Sequence, residues 1–251
     1  MRARGTMQRS AKTAGIIVIG NEVLSGKVSD INSTWLIAEL RPLGVRVARV
    51  VMIPDEIPVI VDHVRSFSTL FDVVFTTGGV GPTHDDKTFE AVAAAFEAPL
   101  EGSDELARVI REYFKDTAQS DLYMRMSFVP RGTELVWTEG LLFPVTKIRN
   151  VYVMPGDPKV MRKKFTAIKE RFREAPFEIR RVFTTIDEGP LAALMGEIER
   201  TMGVEVGSYP VYDNCDYKVQ ITLESKERER VDAALARLLS AIPPEHIHRI
   251  E

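Results

Sequence analysis

The sequence predicts an α/β protein in which a three-layer domain with a mostly parallel sheet precedes a small C-terminal α+β domain. Over about the first two thirds of the chain, short apolar runs alternate with helical patterns, which is typical of parallel strands covered by helices. The remainder instead contains a strand with strict period-two alternation, 216–225, beside patterns for helices. We therefore expect a disordered leader at 1–13, the α/β domain at 14–172 and a βαββα domain at 173–251.

The elements of the α/β domain follow from the spacing of its apolar residues. Four runs rich in β-branched residues and bounded by turn formers are expected to be strands, at 15–20, 45–53, 72–79 and the start of 150–158. Helices are expected where apolar residues recur at i, i+3 and i+4, at about 32–40, 60–67, 86–96, 104–116 and 157–173. Asn32 or Ser33 can cap the first of these helices, and Pro42 and Gly44 end it.

In the small domain, the same reasoning places strands at 179–186, 204–212 and 216–225, and helices at 190–202 and 229–242. In the last strand, Val219, Ile221 and Leu223 share one face, while polar residues occupy the other. His246 and His248 alternate like a short strand or a tail, of which we favour the tail, and without a third ligand nearby they do not make a metal motif.

Composition excludes several classes of protein. The chain has 251 residues and a formal charge of −3, so it lacks the positive excess of a general nucleic-acid binder. No apolar run approaches the ~20 residues that cross a bilayer, and the basic first dozen residues lack the apolar core of a secretory signal. A single cysteine, Cys215, excludes an intrachain disulfide. We expect a cytoplasmic protein without nucleic-acid or membrane partners.

The most informative segment is FTTGGVGPTHDDKT, residues 75–88, which joins a predicted strand to a predicted helix. Ligands of open α/β sheets bind where strands lead into helices, and glycines there let the backbone approach a ligand closely. Gly78, Gly79 and Gly81 fit that role, because successive backbone amides attract an anion, and Thr83 offers a hydroxyl. The segment matches neither the P-loop nor the dinucleotide fingerprint.

Asp85 and Asp86 follow the glycines, and their position allows two interpretations. They can cap the next helix and complement its dipole. A carboxylate beside a phosphate-binding turn would otherwise repel the anion, so they can instead hold a hard cation such as Mg²⁺ that bridges carboxylate and phosphate oxygens. The basic run 162–164 can likewise face a phosphate, although a solvated helix face is favoured because charge runs usually are solvated.

Three segments carry a family resemblance: GNEVLSGKVSDINS at 20–33, TTGGVGPTHDD at 76–86 and VMPGDPKVM at 153–161. In this order they resemble the molybdopterin-binding domain family, which includes MogA/MoaB/MoeA-type proteins of molybdenum-cofactor synthesis and the N-terminal domain of CinA. The likeness runs from about Ala14 to Pro243. It is greatest to the CinA-type branch and, within it, to the molybdopterin-binding-like domain of eukaryotic bifunctional FAD synthases.

The resemblance implies a set of site residues. It implies that Asp86, with Asp85 and Glu22, carries the chemistry, and that Asp86 and Glu22 hold a divalent cation, Mg²⁺ or alternatively Mn²⁺ or Co²⁺. The positions implied to bind the phosphate or pterin ligand are Thr77, Gly78, Gly79, Gly81, Thr83, Thr88, Ser25, Gly26, Asp30, Asn32, Asp55, Pro155 and Gly156.

The resemblance implies a metal-dependent pyrophosphatase that acts on a nucleotide diphosphate such as FAD or ADP-ribose. Two alternatives stay open: binding and adenylylation of molybdopterin, and a module that binds a nucleotide or pterin without turnover. Segments resembling the CinA amidohydrolase domain or the FAD synthase nucleotidyltransferase domain are not found in the sequence, so only the pyrophosphatase-like or pterin-binding part is expected to apply. A homo-oligomer, dimer or trimer, is expected from the same family.

Overall fold

A computed structural model describes residues 12–115, 120–213 and 216–251. The chain divides between Glu174 and Ala175 into two compact units, which are described separately. Residues 1–11, most of the expected leader, and Cys215 lie outside the described residues. Thr13, the last residue of that expected leader, already belongs to the first strand.

The first unit is built on a six-stranded, mostly parallel sheet, as predicted. The strands of this unit, six in the main sheet and two in a separate pair, are β1 (Thr13–Ile19), β2 (Arg46–Ile53), β3 (Val73–Thr77), β4 (Leu100–Gly102), β5 (Phe128–Pro130), β6 (Glu134–Val136), β7 (Val145–Ile148) and β8 (Val151–Met154). The sheet order is β2-β1-β3-β8-β7-β6, in which the first four strands are parallel and β7 runs antiparallel to both of its neighbours, β8 and β6. Strands β4 and β5 form a separate antiparallel pair.

Helices cover both faces of this sheet. They are α1 (Asn21–Leu24), α2 (Asn32–Leu40), α3 (Ile57–Leu70), α4 (Thr88–Ala95), α5 (Asp104–Tyr113), α6 (Ser120–Tyr123) and α7 (Pro158–Ile168), with 3₁₀ turns at Met124–Ser127 and Lys169–Phe172. Strands β4 to β7 have no counterpart among the predicted strands, because runs of three or four residues are too short to show a period.

The alternation of side chains along β1 divides the core between the two faces. Ile16 packs in one cluster with Phe165 of α7 and with residues of α2. Ile17, the next residue, packs in the other cluster with Val64 of α3 and Val92 of α4. This arrangement confirms the three-layer architecture, in which a sheet buried on both faces requires strands that are apolar on both sides.

The start of α2 differs from the expected cap. Asp30 Oδ1 accepts the backbone N–H groups of Asn32 and Ser33, each at 3.0 Å. The prediction that Asn32 or Ser33 supplies the cap is therefore wrong, since a carboxylate two residues earlier satisfies these amides.

The second unit is an antiparallel sheet with the order β10-β11-β9-β12. Its elements are β9 (Glu178–Thr184), α8 (Glu188–Met202), β10 (Glu205–Pro210), β11 (Val219–Ser225), α9 (Arg228–Leu239), a 3₁₀ turn at Pro244–His246 and β12 (Ile247–Ile250). Val219, Ile221 and Leu223 are buried, which agrees with the period-two pattern of β11, and they pack in one core cluster with residues of α8 and α9.

The structure contains one strand more than the expected βαββα order, because β12 follows the last helix. The segment expected to be a tail pairs with β9, where Ile250 lies opposite Val182 and Ile247 opposite Thr184. The tail prediction is wrong because β12 has only four residues, two of them polar, and is recognisable only through its partner. An edge strand that is short and polar in this way is common in antiparallel sheets.

Candidate functional site

A glycine turn begins directly after β3, at the carboxyl end of the parallel strands. Gly78 has φ +102° and Gly79 has φ +64°, a backbone region that favours glycine. The Gly78 amide donates to the carbonyl of Met154 over 3.2 Å, and a Cβ on Gly78 would clash with the backbone carbonyl oxygen of Ile19. The turn therefore fits closely between the ends of β1 and β8.

The turn presents unpaired backbone donors. Within the described part of the chain, the amides of Gly79, Val80 and Gly81 donate to no acceptor. The N-terminus of α4, whose first amides lack helical partners, begins at Thr88, shortly after the turn. Successive free amides near a helix N-terminus are suited to bind an anion such as a phosphate.

Thr88 fixes the shape of this turn. Its hydroxyl donates to the carbonyl of Gly78 over 2.8 Å, and its backbone amide donates to the carbonyl of Gly79 over 2.9 Å. Because Thr88 is fully buried, its role is to hold the glycines rather than to contact a ligand.

A second turn, at Pro155 and Gly156 after β8, lies against the first. A Cβ on Gly156 would lie 3.4 Å from the Cα of Gly78. The carbonyl of Gly156 accepts the side-chain amide of Asn32 over 2.8 Å, and Asn32 is only 7% exposed. Asn32 therefore positions the second turn, and the floor between the two turns consists of backbone.

Asp86 is held by Thr83 through one carboxylate oxygen. Thr83 donates its backbone amide to Asp86 Oδ2 over 2.8 Å and its hydroxyl to the same oxygen over 2.5 Å. Asp86 Oδ1 has no hydrogen-bond partner among the residues described, so it is available to a cation or a water molecule. No side chain caps α4, so the alternative that Asp85 and Asp86 cap this helix is wrong.

Arg125 holds the segment between the glycines and Asp86. Its guanidinium donates to the carbonyl of Thr83 over 2.5 Å and to that of Asp86 over 3.5 Å. It also lies 3.4 Å from the carbonyl of Pro82. A single planar donor that reaches three carbonyls fixes the backbone that carries the Asp86 carboxylate.

Glu22 lies on α1, and the start of this helix is tied to Asp55. Asp55 Oδ2 accepts the backbone amide of Asn21 over 2.8 Å. The Glu22 carboxylate folds over Gly20, where a Cβ would clash with it. Asp55 thus ties the start of the helix that carries Glu22, and its other carboxylate oxygen lies beside the glycine turn, 3.6 Å from the position that a Cβ on Gly79 would take.

These elements enclose a cavity of about 440 Å³, a size typical of small-molecule sites. The predicted site residues that line it are Glu22, Gly78, Gly79, Gly81, Asp86, Pro155 and Gly156. Its other walls are mostly apolar and are formed by Val80, Phe89, Leu106, Met126, Phe143, Pro144, Val153 and Val160, with Thr146, Asp157 and Lys164. The cavity therefore joins a turn with free backbone amides to a mostly apolar wall of a size and character suited to an aromatic ring.

The remaining predicted site residues do not line this cavity. Asp85, Ser25 and Gly26 are exposed, and Thr77 is buried in β3. Thr83, Thr88, Asp30, Asn32 and Asp55 act through hydrogen bonds to neighbouring backbone or to Asp86. Asp85 is exposed and does not line the cavity, and a hydrogen bond with the Thr83 side chain lowers the pKa of its carboxyl.

Lys164 was missed by the sequence reasoning, which favoured a solvated face for the run 162–164. It lines the cavity, and its ammonium donates to the carbonyl of Pro144. Burial lowers the pKa of Lys164 from 10.5 to about 8. The available signal was helical spacing, because Lys164 lies three residues after Met161 and four before Ile168, both buried on α7.

Replacing Lys164 with methionine should raise the free energy of unfolding near pH 7. Lowering the pKa of Lys164 from 10.5 to about 8 on folding lowers the free energy of unfolding by about 3 kcal/mol. This loss of stability is complete below about pH 8, where Lys164 is protonated in both states, and it disappears as the pH rises to 10.5. Urea unfolding followed by tryptophan fluorescence measures this, since Trp35 and Trp137 both belong to the first unit.

The matched control for this substitution is Lys163→Met, which removes the same charge from an exposed neighbour. Its difference from the wild type should be small and independent of pH. Equal curves for Lys164→Met and wild type between pH 7 and 10 would contradict the burial of this ammonium.

The fold and the cavity together define a ligand-binding α/β domain whose site lies beyond the carboxyl ends of parallel strands. The chain belongs to the molybdopterin-binding domain family, because residues 15–175 match the model described as "Probable molybdopterin binding domain". Residues 176–251 match "FAD synthase, middle domain". The resemblance to this family and to the FAD synthase branch is thereby confirmed.

Relatives match along most of this chain. A "Probable FAD synthase" of Caenorhabditis briggsae is 32% identical over 261 residues, which cover 91% of this chain and 50% of that protein. A protein of Archaeoglobus fulgidus is 33% identical over 221 residues, covering 88% of this chain and 93% of its own. A "CinA-like protein" of Thermotoga maritima is 29% identical, covering 95% and 60%. The chain spans about half the length of the nematode FAD synthase.

A solved structure has the same architecture. The protein CinA of Thermoplasma acidophilum superimposes with a TM-score of 0.59 and 25% identity, covering 64% of this chain and 98% of that one. The MogA/MoaB-like α/β fold is thus confirmed. In the part of the chain that the structure describes, each helix is too short or too polar to cross a membrane. The expected homo-oligomer stays a prediction.

Proposed function

We propose that this protein hydrolyses the diphosphate bond of a nucleotide substrate such as FAD or ADP-ribose with the help of a divalent cation. The observation that carries the proposal is one cavity lined both by a turn with free amides and by Asp86, whose Oδ1 is unpaired among the described residues. The FAD synthase and CinA-like relatives support a nucleotide ligand.

The residues of the chain divide the work of binding. The amides of Gly79, Val80 and Gly81 hold the oxygens of one phosphate. The apolar walls, with Phe89 and Phe143, take the ring of the nucleotide and exclude water around it. This orients the diphosphate with its bridging oxygen near Asp86.

The carboxylates fit a cation that the substrate helps to coordinate. Glu22 and Asp86 line the same cavity, and among the described residues no three His, Cys, Asp or Glu side chains form a cluster that would hold a metal by themselves. Mg²⁺ is usually held by one or two carboxylates together with substrate phosphates. When bound there, the cation neutralises phosphate charge and polarises the phosphorus centre.

The proposed reaction consumes one water molecule. The water oxygen attacks one phosphorus atom and gives up a proton to a nearby carboxylate, which passes it to solvent. The bond from that phosphorus to the bridging oxygen breaks, and the leaving phosphate keeps the bridging oxygen. ADP-ribose then gives AMP and ribose 5-phosphate, whereas FAD gives AMP and FMN. The free oxygen of Asp86 lies where it can orient the water or hold the cation.

Incubation of the purified protein with FAD or ADP-ribose tests this proposal. AMP release, measured by chromatography, should require Mg²⁺, Mn²⁺ or Co²⁺ and should stop in EDTA. If no metal supports AMP release while calorimetry still shows nucleotide binding, the proposed hydrolase activity is wrong and the protein is a nucleotide-binding module.

A second candidate function is the binding of molybdopterin, with or without its adenylylation. The match of residues 15–175 to the molybdopterin-binding family favours it, and the apolar walls are also suited to a flat pterin. Retention of molybdopterin by the protein, without AMP release from FAD or ADP-ribose, would select this function.

A further inference from the structure

Lys164 is the one cation among the described residues that line the cavity. Its ammonium donates to a neutral acceptor, the carbonyl of Pro144, and no carboxylate in the described part of the chain forms an ion pair with it. The other ionisable groups in the lining are Glu22, Asp86 and Asp157. Asp157 is engaged as the N-cap of α7, where it accepts the amide of Val160 over 2.9 Å.

A largely buried ammonium without a counter-ion is unfavourable, and proteins normally pair such charges. The cost is visible in its lowered pKa, for which burial is the only cause. Because the chain provides no partner, an anionic group of a ligand is the complementary one.

The position of Lys164 separates it from the glycine turn. The start of α7 lies beside this turn, since Gly156 approaches Gly78 closely. Lys164 follows Pro158 by six residues, and a rise of 1.5 Å per residue places it roughly 9 Å further along the helix axis. Because side chains on a helix point back toward its N-terminus, the Lys164 ammonium is directed toward the turn but is offset from it, where a phosphate that adjoins the one on the turn would lie.

We propose that Lys164 binds the second phosphate of a diphosphate ligand whose first phosphate lies on the glycine turn. The residue thereby makes the cavity selective for diphosphates over monophosphates. This inference rests on the proposed function for the nature of the ligand, but it concerns binding and does not require hydrolysis.

The test compares α,β-methylene-ADP, which cannot be hydrolysed between its phosphates, with AMP. Titration calorimetry in Mg²⁺ should show that the wild type binds the diphosphate analogue more tightly. A hydrogen bond to a charged group contributes about 1.5–3 kcal/mol, so Lys164→Met should weaken α,β-methylene-ADP about 10- to 100-fold and leave AMP unchanged. Lys163→Met, the exposed neighbour, should bind both ligands like the wild type.

Three results would overturn the inference: equal binding of the two ligands by the wild type, unchanged binding of the analogue by Lys164→Met, or equal weakening of both ligands. The last would indicate a structural role. A missing hydrolase activity with the expected binding pattern would instead remove the proposed reaction and leave the diphosphate site intact.

Discussion

Replacing Asp86 with asparagine should lower the turnover of FAD or ADP-ribose by about two to three orders of magnitude. Asparagine keeps an oxygen that accepts the two hydrogen bonds from Thr83, but it removes the negative charge from the cavity. A cation at a phosphoryl group is worth several kcal/mol of transition-state stabilisation, and each 1.36 kcal/mol changes the rate tenfold. Initial rates of AMP release at saturating Mg²⁺ measure the effect.

Asp85→Asn is the matched control, because it removes the same charge from the adjacent, exposed residue. Its rate should stay within about twofold of the wild type. Both variants should unfold at the wild-type urea concentration, since neither carboxylate is fully buried. Full turnover by Asp86→Asn would show that the assignment of the cation to this carboxylate is wrong.

Replacing Gly78 with alanine should lower the free energy of unfolding of the first unit by on the order of 3 kcal/mol or more. The residue has φ +102°, and its Cβ would clash with the carbonyl oxygen of Ile19, which is backbone and cannot rotate away. Backbone strain and overpacking each cost about 1–3 kcal/mol. Urea unfolding followed by tryptophan fluorescence gives the value, and binding of α,β-methylene-ADP should be lost with it.

Gly132→Ala separates the cost of backbone strain from the cost of the steric clash. Gly132 has φ +85°, but nothing lies within 4 Å of the position that its Cβ would take. This variant should therefore cost only the backbone strain, about 1 kcal/mol. If Gly78→Ala is no more destabilising than Gly132→Ala, the glycine turn does not pack against the end of β1 as described.

The layers of the first unit could be predicted because each strand and helix has a local pattern. Ile16 and Ile17 belong to a run that is apolar at every position, which indicates a strand buried on both faces. By contrast, β12 has two apolar residues in four, and only its pairing with β9 defines it. A strand without its own pattern cannot be predicted from local sequence.

Only the part of the site that lies in one continuous segment could be predicted from the sequence. The glycines of the turn and Asp86 are adjacent in sequence and carry a readable motif. The walls were not predictable, because Phe89, Leu106 and Phe143 come from separate elements and are ordinary apolar residues until the fold brings them together. The sequence does not predict Lys164 because, in a run of three charges, only Lys163 is exposed, whereas Arg162 packs over Trp35 and Lys164 lines the cavity.

The contact between the glycine turn and the turn at Gly156 has a consequence for engineering. Since this floor consists of backbone, a single substitution there has no side chain to exchange and can only damage the turn. The ring-facing walls have no such constraint. A change of substrate preference should therefore begin at positions such as Phe143 and Val160, which are not buried in the core and where side-chain volume can be altered without changing the backbone of the two turns.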